Sequence, residues 1–189
     1  MQAPEEAPFY NIYNNEESPN NIYDFLQIAG PSSAAAAPTP PIATPASTAT
    51  AKPTNATVMV NGKQIAFDAY NINNNNYFKL RDIAKVLSGS DKQFEVTWNG
   101  STKSIELKPG SAYTSVGGEL VTGKAKQQTA KLSSDKVYMN GSVANLTAYT
   151  INGNNYFKLR DLGKLLNFGV DWDGTAKCIS INSSTAYTE

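Results

Sequence analysis

Six aromatic residues, Tyr70, Tyr77, Tyr149, Tyr156, Trp98 and Trp172, stand in a chain rich in asparagine. Flat amphipathic rings beside amides can stack on sugar faces and hydrogen-bond their hydroxyls. Tyr77, Tyr156, Trp98 and Trp172 are therefore candidate carbohydrate-binding residues. The competing role is structural, as core residues and cross-strand pairs of a β-rich fold. Tyr77 and Phe78 are adjacent, so strand alternation predicts that they face opposite sides and that one is exposed.

Other chemistry is thinly represented. The chain has no histidine, and Cys178 is its one cysteine. Histidine-based acid–base or triad catalysis, ordinary zinc sites and intrachain disulfides are excluded. Cys178 lies in an alternating Lys177-Cys178-Ile179-Ser180-Ile181 strand pattern and reads as a small packing residue. Asp171-Trp172-Asp173-Gly174 resembles the opening of a calcium loop but lacks the later ligands, so a turn is expected. Arg81-Asp82 and Arg160-Asp161 open two helical segments, where an acid favours the helix dipole. No phosphate loop or activated serine is visible, and the basic residues are scattered, which argues against nucleic acid. The reading is a non-enzyme with no catalytic residue, no cofactor and no metal.

The elements that must carry these residues come from an internal repeat. Tyr77-Phe78-Lys79-Leu80-Arg81-Asp82 recurs as Tyr156-Phe157-Lys158-Leu159-Arg160-Asp161, 79 residues later. Val58–Leu87 aligns without a gap onto Val137–Leu166. Beyond the helix the spacing becomes 74, with Trp98 matching Trp172 and Ala112-Tyr113-Thr114 matching Ala186-Tyr187-Thr188. One structural unit used twice is expected. Asn61-Gly62 and Asn140-Gly141 signal hairpins. A strand at Tyr70–Ile72 follows, then a helix in which Leu80, Ile83, Ala84 and Leu87 share one face, with Leu80 and Leu159 buried. A second hairpin carries each tryptophan, turning at Asn99-Gly100 or Asp173-Gly174. The predicted class is α+β: two β-hairpin/strand/helix/β-hairpin repeats, each an antiparallel sheet curled around one helix.

Composition divides the rest. Residues 1–30 form an acidic head, 31–55 a Pro/Ala/Thr spacer, 56–114 the first repeat, 115–135 a connection and 136–189 the second repeat. Net charge is zero overall, yet residues 1–51 hold five acids and no Lys or Arg, leaving 16 basic against 11 acidic residues beyond. The spacer cannot bury enough apolar surface to offset its entropy. In the head, Ser18 and Pro19 suit a helix start and Gly30 a stop. Tyr10, Ile12, Tyr13, Ile22, Phe25 and Leu26 are candidate partner-binding residues, because they are too few to fold alone. A protein partner or self-association through this segment is expected, with salt weakening the attraction. No stretch is apolar for long enough to cross a membrane, and no signal peptide is seen in this chain.

The run Asn-Asn-Tyr-Phe-Lys-Leu-Arg-Asp-Leu, the apolar helix, Phe168-Gly169-Val170-Asp171-Trp172-Asp173-Gly174 and Cys178-Ile179-Ser180-Ile181 together resemble the copper amine oxidase N-terminal-like, or stalk, domain family. The resemblance covers about Thr57–Glu189 and is read as two tandem copies. It implies a small antiparallel sheet wrapped around a helix. It also implies bacterial, extracellular or cell-wall-associated proteins, in which the domain is a non-catalytic appendage. A structural or protein-interaction module is the expected function, with cell-wall glycan binding as the alternative.

Overall fold

The computed structural model describes residues 47–189. The acidic head, its candidate residues Tyr10, Ile12, Tyr13, Ile22, Phe25 and Leu26, and residues 31–46 of the spacer lie outside the described residues. The spacer's last part is a correction: Thr48–Pro53 is a strand, β1. Ala51 is fully buried in it. Thr50-Ala51-Lys52 matches Thr129-Ala130-Lys131 at the 79-residue spacing. Small residues suit both a spacer and a strand in a crowded barrel wall, so composition did not separate them.

Within the first half, β1 leads to β2 (Thr57–Val60), β3 (Lys63–Gln64), β4 (Tyr70–Ile72), β5 (Asn75–Lys79), α1 (Leu80–Leu87), β6 (Phe94–Asn99) and β7 (Ser104–Pro109). The second half runs β8 (Gln128–Leu132), β9 (Lys136–Met139), β10 (Ser142–Val143), β11 (Ala148–Ile151), β12 (Asn154–Lys158), α2 (Leu159–Leu166), β13 (Gly169–Asp173) and β14 (Cys178–Asn182). The fold is mostly β with two short helices. β8 falls inside the segment read from sequence as a mere connection.

Local chemistry sets the turns. Asn61-Gly62, Asn140-Gly141 and Asn152-Gly153 all have positive φ at both positions, as does Asn73-Asn74. Two left-handed residues make the tight turn whose twist matches the flanking strands, and Asn and Gly tolerate it best. The tryptophan hairpins turn over four residues rather than at Asn-Gly or Asp-Gly alone. Asn99 Oδ1 accepts from the backbone N–H of Ser101 and Thr102 at 3.1 and 3.3 Å. Asp173 Oδ1 accepts from Thr175 and Ala176 at 2.8 and 2.9 Å. The turn needs only a side-chain oxygen, so Asn serves where its counterpart has Asp. This use of Asp173 matches the expected turn.

Sheet formation departs from one curled sheet per repeat. A closed, wholly antiparallel barrel runs β1-β4-β5-β12-β11-β8, with three strands from each half. Its two inter-half seams pair Phe78 with Phe157 and Thr50 with Thr129, residues 79 apart in both cases. The remaining hairpins cross over. The β9–β10 hairpin adds to β7 and β6, and the β2–β3 hairpin adds to β14 and β13. Both joins, β7–β9 and β14–β2, are parallel. A lone two-stranded hairpin is marginal in water, and lending it to the other half gives each four strands.

Two cores result. The barrel interior holds Ala51, Tyr70, Ile72, Tyr77, Ala130, Tyr149, Ile151 and Tyr156. Outside the barrel wall, α1, α2 and the two four-stranded sheets enclose a larger core around Phe78, Phe157, Leu80 and Leu159. Leu80 and Leu159 are buried as predicted. Cys178 is a half-buried free thiol on β14.

Candidate functional site

The two exposed tryptophans open two clefts at corresponding places in the halves. Trp98 and Trp172 are 47% and 48% exposed. Each sits on an outer hairpin, beside the start of the helix from its own half and the barrel turn of the other half. The first cleft, about 440 Å³, is lined by Lys79–Asp82, Trp98 and the Gly153–Asn155 turn. The second, about 760 Å³, is lined by Lys158–Arg160, Trp172 and the Asn74–Asn76 turn. These residues correspond at the spacing of 79, or 74 beyond the helices.

The tyrosines part company with the tryptophans. Tyr77 and Tyr156 are 6% and 3% exposed, which corrects their candidacy for sugar binding and agrees with the competing structural role. They fill the barrel interior. Tyr77 packs edge-to-face on Tyr149 at 5.4 Å, and Tyr156 on Tyr70 at 5.2 Å. Tyr70 also accepts a hydrogen bond from Gln128 Nε2 at 2.7 Å. Burial, then the neighbouring Tyr149 and Asp161, push the Tyr77 hydroxyl up to about 12. The expectation that one of Tyr77 and Phe78 is exposed also fails. Strand alternation does separate them, but β5 has a core on both faces, as a covered barrel wall requires.

The clefts share a frame and differ in charge. The first carries Lys79 and Arg81 against Asp82, Glu119 and Asp135. Among the described residues, the second carries Lys52, Lys158, Arg160 and Lys177 against Asp171 alone. Part of the difference lies in the segment after β7, which reaches the first cleft through Gly117, Gly118 and Glu119. Three carboxylates hold that segment. Glu119 accepts from the Tyr113 hydroxyl at 2.6 Å and from the N–H groups of Val116 and Gly117 at 2.8 and 3.1 Å. Those bonds, the Tyr113 hydroxyl first, bring its carboxyl down to about 2. Asp82 Oδ1 accepts from Leu120 N–H at 3.0 Å, and Asp68 accepts from Gly123 and Lys124 at 2.9 and 3.0 Å.

Asp82 is 1% exposed, and its Oδ2 has no hydrogen-bond partner; Lys79 Nζ stands 3.9 Å away. Burial raises its carboxyl above the usual range, against the lowering by Leu120 N–H and Lys79. Its counterpart Asp161 is partly exposed and ion-pairs with Lys158 at 3.4 Å. The sequence reading assigned both acids to the helix dipole and missed this anchoring role. Asp68 was not singled out at all. The readable signal was its mismatch: the corresponding residue in the second half is Thr147.

Among the described residues, no group of three or more His, Cys, Asp or Glu side chains is placed to hold a metal ion. No helix among them is long and apolar enough to cross a membrane. Chemically, the clefts offer an indole face, amides and fixed charges, which can bind and orient a ligand. No curated protein and no solved structure matches the chain. One family model does, the copper amine oxidase N-terminal domain, over residues 59–181 in a single span that runs through both halves. On that match, which takes in about two thirds of the sequence and both tryptophan hairpins, the chain belongs to the copper amine oxidase N-terminal domain family.

Proposed function

We propose that this chain is a non-catalytic binding module of the cell surface or extracellular space, built from two tandem copies of one unit. The observation that carries the reading is the use of its carboxylates. Asp68, Asp82 and Glu119 accept from backbone N–H groups of one loop, although Asp82 and Glu119 line the first cleft, and both clefts present tryptophan, amides and fixed charges. Side chains that catalyse must face the reacting atoms, whereas these hold the scaffold still. The family match supports the absence of a reaction, since the matched domain is the N-terminal part of an oxidase rather than its catalytic part. Residues 1–30 serve as a docking segment for a protein partner or a second copy. Five acids there are opposite in sign to the excess of base in the rest of the chain. Deleting residues 1–30 should lower the mass in solution or abolish partner capture. Equal behaviour of the truncated and full chains in both assays would overturn the docking role.

A second reading, binding of cell-wall glycan, is favoured by the exposure of Trp98 and Trp172. Two large indoles left half in water on rigid hairpins suit sugar stacking better than packing. Retention of the full chain on purified cell-wall polysaccharide is the expected result. Passage through that resin without delay would rule this reading out.

A further inference from the structure

We infer that the second cleft, and not the first, is a binding site for an acidic saccharide, a sugar carrying carboxylate or phosphate groups. The inference rests on the glycan reading above and assigns it a place and a charge. Both clefts have the tryptophan and the polar turn, so shape and aromaticity alone predict two equal sites. Charge separates them. Lys52, Arg160 and Lys177 are exposed, and none has a carboxylate within ion-pairing distance among the described residues. Arg81 of the first cleft corresponds to Arg160 of the second, but the first adds Asp82, Glu119 and Asp135, whereas the second has Ala56 at the place of Asp135 and adds Lys52 and Lys177.

The second cleft also matches the rest of a sugar. Asn71 lies opposite Lys52 in the barrel register, and Asn74 and Asn75 extend the amide edge. Amides donate and accept together, as ring hydroxyls require. Trp172 supplies the flat apolar face, and Lys177, on the same hairpin, comes five residues later across the Asp173 turn. Arg160 comes from the first turn of α2, where its guanidinium can take a carboxylate or phosphate in a fork. Three elements thus bring cations to one indole, and the cleft is nearly twice the volume of its twin.

Trp98 and Trp172 are the only tryptophans, so each can be made the sole reporter. The full chain carrying Trp98→Phe, titrated with tetragalacturonate for carboxylate and glucose 6-phosphate for phosphate, should show saturable change in Trp172 emission with at least one of them. Neutral chitotetraose should bind about tenfold more weakly or worse, and added salt should weaken the acidic sugar. Arg160→Gln with Lys177→Asn should cost at least about tenfold; Asn is chosen because position 177 has φ of +49°. The full chain carrying Trp172→Phe should show no Trp98 response. Retention on wall polysaccharide that survives both changes would overturn the site while leaving the glycan reading standing. No response to either acidic sugar, or an equal response to chitotetraose, would overturn the inference. So would an emission difference between the full chain and one lacking residues 1–30 without any response to sugar, because the acidic head would then be the occupant.

Discussion

Asp82 and Glu119 hold the same loop with opposite electrostatic consequences. Burial raises the Asp82 carboxyl, and one of its oxygens lacks a hydrogen bond. Asp82→Asn keeps an oxygen for Leu120 N–H and relieves the burial of an ionisable carboxyl, so the melting temperature at neutral pH should hold or rise. Asp82→Ala orphans that N–H and should cost about 1–3 kcal/mol. Thermal denaturation of both variants distinguishes these outcomes. For Glu119 the sign reverses. Its folded-state carboxyl is lowered from 4.5 to about 2, so its contribution is complete above 4.5 and is lost as pH falls towards 2. Hydrogen exchange within residues 116–124 should accelerate, relative to the intrinsic rate, over that acid window. In Glu119→Gln the window should vanish at Val116 and Gly117, whose N–H groups Glu119 holds, while Asp82 and Asp68 still hold Leu120, Gly123 and Lys124.

At the scale of elements, the helices show how packing overrides propensity. Leu159 opens α2 and is 3% exposed in the outer core. Leu159→Ala should cost about 2–5 kcal/mol in chemical denaturation, as a cavity left in a close-packed site does. Gly163, in the same helix, is the sharper case. Helix propensity favours Ala there by about 1 kcal/mol. A Cβ at that position, however, would stand 2.7 Å from Val170 Cγ2 and 3.0 Å from Tyr187 Cδ2. Overpacking of that kind costs about 1–3 kcal/mol. Gly163→Ala should therefore destabilise, although the corresponding residue in α1 is Ala84, which is fully buried. A rise in melting temperature would mean that α2 can move off β13 freely.

For the whole molecule, exchange of hairpins makes the halves interdependent. Neither half contains a complete sheet: the barrel and both four-stranded sheets take strands from each. Residues 47–125 and 126–189, expressed separately, should each lack the dispersed amide spectrum of a folded protein. Mixed together, they should recover it, because β5–β12, β7–β9 and β14–β2 can form between separate chains. A folded, monomeric half would show that one repeat suffices. The single family match across both halves accords with a domain that is complete only as a pair.

Much was legible in the letters. The repeated hexapeptide, the Asn-Gly turns and the helix periodicity placed most strands, both helices and the burial of Leu80 and Leu159, because turn geometry and amphipathic spacing are local properties. The absence of histidine likewise removed whole classes of chemistry before any fold was known. Partnership was not local. Thr48–Pro53 passed for spacer because small residues look alike in solvent and in a barrel wall. Tyr77 and Tyr156 stayed open between surface rings and core because alternation tells which residues share a face, not whether that face meets water. The hairpin exchange joins residues 32 positions apart in one sheet and 121 in the other, and each cleft joins a helix start of one half to a barrel turn of the other. Their positions, and the contrast between a basic cleft and one lined by carboxylates, follow from which half covers which, and that is settled by tertiary packing alone.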